Sequence, residues 1–344
     1  MHGGDWASLE PGPYPMLDLS SSISPYGPGP KARALWPTLV NRIDRYPDWK
    51  AREATQITAQ HLHIAKSHLM LTAGGVEAID LVLQVFRPTQ VFVKIPAFSE
   101  YQERAEIHGM TVESISRIED ITNRSGLLFL ANPANPTGEV LRAEQLLPYV
   151  KWAQRQGSLL VVDEAFLEFI PDWRNITLSQ HAERDSHLIV IGSLTKFYGL
   201  AGLRVGYLVG TSDYIQAVRR YALPWHVSLV AQAMAQAALQ DQEYFSQTRE
   251  DLQQERERVS HLLRQWGTVR EGAEANFVLF SPRMPLDPVI AALRARAILV
   301  RDARDFEGLD KEYVRIAVKT PQDSNRLIEA LDEIFQKEGT APWT

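Results

Sequence analysis

Short apolar runs recur along the chain with helical patterns between them, and that alternation limits the possible folds more than any single motif does. The runs begin at Val91, Gly126, Leu159 and Leu188, and a further one covers 205–209. Before and between them lie segments such as 76–86 and 143–156, whose apolar residues recur at helical spacing. Strands that read as unbroken apolar runs are buried on both faces. The expectation is therefore an α/β fold, a mostly parallel sheet flanked by helices, with a smaller α+β unit toward the C-terminus. Open sheets of this kind bind ligands beyond the carboxyl ends of their strands, so the residues just past each run are candidates for chemistry.

Lys196 follows the run 187–192 and sits between Ser193, Thr195 and Arg204. Burial disfavours the ammonium form and leaves a nucleophilic amine, suited to a Schiff base with an aldehyde. Arg204 supplies a fixed charge for a phosphate. Most lysines are solvated surface residues, and only the neighbouring segments argue otherwise here. The run 159–162 ends on Asp163, where a buried carboxylate can pair with a protonated ring nitrogen; Asp163 reads equally well as a turn cap. Glu164 is expected to face solvent or a helix end. After the run 126–131, Asn132, Pro133, Asn135, Pro136, Thr137 and Gly138 make a turn of restricted backbone that can aim the Asn135 amide at a fixed point. Upstream, Gly74 and Gly75 open the helical stretch, where bare N–H groups and the helix dipole favour an anion. Phe98, past the run at Val91, is placed to stack on a flat ring or to join the core.

In this order, Gly74-Gly75, Phe98, Asn135 to Gly138, Asp163 to Ala165, then Ser193, Thr195, Lys196 and Arg204, the chain resembles the fold-type I pyridoxal phosphate enzymes of the class I/II aminotransferase superfamily. Within it the similarity is greatest to the threonine-phosphate decarboxylases of cobalamin biosynthesis, relatives of the histidinol-phosphate aminotransferases. That narrower likeness rests on His2 to Gly4, 18–27, 163–171 and 300–319. The resemblance implies pyridoxal 5'-phosphate as cofactor, with Lys196 bonded to its aldehyde and Asp163 keeping its ring nitrogen protonated. Asn135 would donate to the phenolic oxygen, beside Phe98 and Phe166. Ser193, Thr195, Arg204 and the backbone of Gly75 and Val76 would hold the phosphate. Tyr46 matches a tyrosine that reaches the phosphate bound by a neighbouring subunit, which implies a homodimer with shared active sites. Substrate contacts would come from His2, Ser22, Ser24, Asn135, Arg301 and Arg315. An arginine in the strand-like run 313–318 is costly unless it meets an anion; salt bridges from Arg301 or Arg315 to Asp302, Asp305 or Glu307 are the structural alternative.

Two departures bear on function. Phe166 stands where aminotransferases of this group usually have tyrosine, as in the decarboxylases. Ser22 and Ser24 stand where those decarboxylases have asparagines, which leaves phosphothreonine, phosphoserine or another phosphorylated amino acid open as substrate. The resemblance implies decarboxylation of L-threonine O-3-phosphate to (R)-1-aminopropan-2-yl phosphate. A histidinol-phosphate type aminotransferase and a non-catalytic binding or regulatory protein on the same fold are the alternatives.

Composition fits a globular enzyme. The chain has 344 residues, 45% hydrophobic and 23% charged, and its formal net charge of -6 argues against nucleic acid as a partner. It has no cysteine, which excludes disulfides and thiolate metal sites, and no metal site is expected. No run approaches the ~18 apolar residues of a membrane span, and no basic segment followed by an apolar one opens the chain, so the expectation is cytoplasmic. The parts expected are an irregular, Pro- and Gly-rich arm over 1–45, a large cofactor-binding domain with linking helices over 46–265, and a small domain over 266–344.

Overall fold

The computed structural model describes residues 3–8 and 14–338. Seven strands form the main sheet in the order Leu69–Thr72, Gly206–Val209, Leu188–Ser193, Leu159–Asp163, Leu127–Ala131, Gln90–Lys94 and Thr111–Ile115. Only Gly206–Val209 runs antiparallel to its neighbours. Side chains alternate between faces along a strand. Accordingly Leu128, Leu130, Leu160, Val162 and Val190 enter one core, while Phe129, Val161, Ile189 and Ile191 enter the other. Both faces are covered by helices, which is why these strands show no polar alternation.

Two of the seven strands are less conspicuous in the sequence. Thr111–Ile115 lies at an edge and is mostly half-exposed, so it carries polar residues. Leu69–Thr72, the other edge strand, is short but fully buried.

A second, antiparallel sheet orders Arg301–Asp302, Val314–Ala317, Phe277–Pro282 and Gly267–Val269. Its core includes Val278, Phe280, Val289, Leu293, Val314 and Ile316. The helix Gln242–Leu263 contributes Phe245 and Leu252 to the larger core and Val259 and Leu263 to this smaller one.

The segment expected to be an irregular arm is partly ordered into regular structure. Leu17–Asp18 pairs in parallel with Ile298–Leu299, and Leu17 and Leu19 are buried in the smaller core. Pro30–Leu39 is a helix packed on Leu229–Leu239, and its Ala32 and Leu39 are buried in the larger core. The proline density that suggested a loop instead starts this helix, because proline at the first helical position gives up only an unpaired N–H. Among the described residues no helix is long and apolar enough to cross a membrane.

Candidate active site

Five parallel strands of the main sheet bring their carboxyl ends, at Thr72, Lys94, Ala131, Asp163 and Ser193, to one side of the molecule. A cavity of about 570 Å³ opens there, walled also by the arm and by the smaller sheet. Gly75, Val76, Phe98, Asn135, Asp163, Phe166, Ser193, Thr195, Lys196, Arg204, Arg301, Arg315 and Ser22 all line it. Most of the expected site residues are therefore together.

At one end the helix Gly75–Phe86 presents its N-terminus beside Ser193, Thr195 and Arg204. Gly74 adopts φ 90°, and a Cβ there would lie 2.6 Å from an Arg204 guanidinium nitrogen, so the guanidinium reaches the turn only because residue 74 lacks a side chain. The Ser193 and Thr195 hydroxyls are 2.6 Å apart. Two hydroxyls, a guanidinium and a helix N-terminus form a site for an anionic group.

Toward the centre, Asp163 is buried. Its Oδ2 accepts from the Tyr101 hydroxyl at 2.6 Å and its Oδ1 from the Ala165 N–H at 2.9 Å. Burial pushes this carboxyl up, against the opposing effects of those two donors and Lys196. The Lys196 amine is lowered to about 8, first by burial and then by the positive charges of Arg315, Arg204 and Lys319, with Asp163 opposing. A lysine so placed carries an appreciable fraction of nucleophilic amine near neutral pH.

On the far wall Arg315 is buried. It donates from Nη1 to Asn135 Oδ1 and from Nη2 to the Ser20 carbonyl at 2.7 Å, and it lies 5.2 Å from the Phe277 ring centre. Its Nε has no hydrogen-bond partner, and among the described residues no carboxylate pairs with it. Burial, with Arg301 adding repulsion, lowers it to about 10. Arg301 differs: it pairs with Asp305 at 2.8 Å and donates to the Asp302 carbonyl, so the salt-bridge alternative holds for this residue even though it lines the cavity.

Other expected residues lie elsewhere. Ser24 is buried behind the cavity wall, where its N–H donates to the Lys196 carbonyl at 3.0 Å, while Ser22 lines the cavity with its hydroxyl unpartnered. Tyr46 is 80% exposed and sits 4.7 Å from the Trp225 ring, away from this chain's own cavity. His2 lies outside the described residues. Glu164 does not face solvent: it is buried, accepting from the Leu178 N–H at 2.7 Å and the Thr177 hydroxyl at 2.6 Å beside the short helix Ser179–Ala182, and burial raises it to about 8.

Tyr101 was not anticipated. It stacks on Phe129 at 5.0 Å, stands edge-on to Phe98 and fixes the Asp163 carboxylate. Its position three residues after Phe98 was the only local signal.

The arrangement suits a flat ring bearing an anionic arm at the Arg204 end and a nitrogen at Asp163, with an aldehyde within reach of Lys196. The unpartnered Ser22 hydroxyl and Arg315 Nε leave polar capacity for a second molecule.

The chain is similar to known proteins over nearly its whole length. The model of the aminotransferase class I and II family matches residues 15–331. Threonine-phosphate decarboxylase of Salmonella typhimurium is 33% identical over 349 residues, covering 96% of this chain and 93% of that protein. Histidinol-phosphate aminotransferase 2 of Archaeoglobus fulgidus is 30% identical over 343 residues, covering 94% and 97%. The structure of histidinol-phosphate aminotransferase from Sinorhizobium meliloti in complex with pyridoxal-5'-phosphate superposes with a TM-score of 0.83 at 22% identity, covering 92% of this chain and 90% of that one.

Proposed function

This chain belongs to the class I and II aminotransferase family and is a fold-type I enzyme whose cofactor is pyridoxal 5'-phosphate, and from that premise we propose that it decarboxylates L-threonine O-3-phosphate to (R)-1-aminopropan-2-yl phosphate, a step of cobalamin synthesis. The observation that carries the substrate class is the buried Arg315 guanidinium, its Nε unpartnered, on one cavity with Lys196. It suits a substrate carboxylate, and a phosphate on the same molecule would have to displace Asp305 from Arg301 on the same wall. Phe166 at the cavity wall, without a hydroxyl, and the likeness to the Salmonella typhimurium decarboxylase support loss of carbon dioxide over amine transfer.

The residues divide the work. Lys196 would be the covalent anchor, and Lys196 or water would return a proton to Cα. Asp163, steadied by Tyr101, would keep a proton on the ring nitrogen. With its Oδ1 taken by Arg315, Asn135 is left to donate from Nδ2 to the phenolic oxygen. Ser193, Thr195, Arg204 and the N–H groups of Gly75 and Val76 would hold the cofactor phosphate, and Phe98 would flank the ring. Arg315 takes the substrate carboxylate as a bidentate partner, and Ser22 offers its hydroxyl. When bound, the cofactor ring withdraws the electron pair left at Cα as a bond there breaks.

The same residues serve transamination if the Cα hydrogen, rather than the carboxylate, stands perpendicular to the ring. The Archaeoglobus fulgidus relative favours keeping that second reading. Single-substrate turnover separates the two. Phosphothreonine with no keto acid is expected to yield carbon dioxide and the amino alcohol phosphate, whereas dependence on 2-oxoglutarate contradicts decarboxylation.

A second copy of this chain is part of the same reading. Trp36, Val40, Ile43, Tyr46 and Trp49 are all at least half exposed, and Leu223 and Trp225 add further exposed apolar surface. Tyr46 packs on Trp225 with the rings tilted by 30°, which joins the two segments. Apolar surface of this kind marks an interface, and a two-fold partner would bring Tyr46 to the neighbouring cavity.

A further inference from the structure

Lys319 follows the strand Val314–Ala317 of the smaller sheet, and the reaction scheme above gives it no task. It is half-buried and donates to the Ile23 carbonyl at 2.8 Å. Among the described residues no carboxylate pairs with it, although Asp18 and Asp323 lie near enough to favour its charge. Burying a cation costs free energy, and a neutral donor would serve the Ile23 carbonyl as well. A charge retained at that cost points to a role for the charge itself.

Its surroundings supply one. Ile23 is the middle of the turn 22–24. On one side Ser22 offers an unpartnered hydroxyl to the cavity, and on the other the Ser24 N–H donates to the Lys196 carbonyl at 3.0 Å. A chain of two hydrogen bonds therefore runs from Lys319 to the backbone of Lys196, with a substrate-facing residue at its edge. Asp18 braces the approach to this turn, accepting from the Ser20 N–H at 2.8 Å and the Ser20 hydroxyl at 2.6 Å. Four charged groups act on the Lys196 amine: Asp163 on the main sheet, Arg204 beyond the loop, Arg315 on one strand of the smaller sheet and Lys319 just after that strand.

We propose that Lys319 is a positioning residue for Lys196, holding the turn 22–24 against its backbone through the Ile23 carbonyl and the Ser24 N–H, with its charge acting on the amine alongside those of Arg315 and Arg204. The charge favours the neutral lysine nitrogen, and the hydrogen bond fixes the Ser22 hydroxyl where substrate enters. Both effects originate in the smaller sheet, so the part of the molecule that carries Arg315 also governs the readiness of Lys196.

The inference rests on Lys196 carrying the cofactor, and the test keeps the two apart. The holoenzyme and the variants Lys319→Gln, Lys319→Met and Lys319→Arg are titrated with pH through the visible absorption band of the lysine-bound cofactor, and KM is measured alongside. Lys319→Gln, which keeps a donor and loses the charge, is expected to raise the titration midpoint by about half a pH unit or more with little change in KM. Lys319→Met is expected to raise both, and Lys319→Arg to restore the midpoint. A midpoint in Lys319→Gln equal to that of the unmodified protein overturns the proposal. Failure of Lys319→Gln to fold also overturns it, because that is the behaviour of a purely structural lysine. Absence of the visible band in the unmodified protein contradicts the reading of Lys196 instead.

Discussion

Arg315 says most about the substrate, because a buried guanidinium with an unpartnered Nε and no carboxylate partner among the described residues is costly unless a ligand completes it. Arg315→Ala is expected to raise KM roughly 10- to 100-fold, the worth of a charge-assisted pair, while the cofactor stays bound. Loss of cofactor with normal substrate affinity would reassign the residue. Lys196 makes a separate prediction for the cofactor-free protein. Its amine is held at about 8, against 10.5 for a free lysine. Between those values the unfolded chain binds the extra proton, so this group makes stability rise with pH across that window. Lys196→Met should make the rise shallower in urea melts at pH 8 and pH 10. Residues of this kind were legible in the sequence where chemistry follows a strand in the same segment, as for Asp163 and Lys196. Tyr101 and Lys319 were not, since each is defined by a partner distant in the chain: Asp163 for one, Ile23 for the other.

At the scale of elements, the turn before the helix Gly75–Phe86 is the most exacting piece. Gly74→Ala places a methyl group against Arg204 at a φ that side chains avoid. The expected outcome is at least a tenfold loss of cofactor affinity, followed by the visible band during equilibrium titration, since one lost charge-assisted contact is worth about that much. The main sheet is tested by Phe92→Ala. Phe92 is fully buried and packs edge-on to Trp152, so the change should cost about 3–5 kcal/mol in denaturant unfolding. The central strands were readable because burial on both faces makes them uniformly apolar. The edge strand Thr111–Ile115 was not, because exposure admits Thr111, Glu113 and Ser114. The helix Pro30–Leu39 was hidden by its own start signal, a proline read as a breaker.

Two larger sheets are joined in this fold, and the arm ties them: Leu17–Asp18 forms a third, two-stranded sheet with Ile298–Leu299 beside the smaller one, while Ser24 touches Lys196. That wrapping could not be read from local pattern, because two-residue strands carry no periodicity. The exposed apolar surface around Tyr46 and Trp225 leads to a further expectation. Leu223→Asp should halve the mass seen by analytical ultracentrifugation and weaken cofactor retention, and an unchanged assembly would remove the shared-site reading. On the proposed reading the cavity is built around a single covalent anchor, Lys196. Borohydride reduction of the cofactor-loaded protein, followed by peptide mass mapping, locates that anchor. Reduced cofactor is expected on Lys196 alone; a label on Lys94 or Lys319, or none at all, would overturn the assignment.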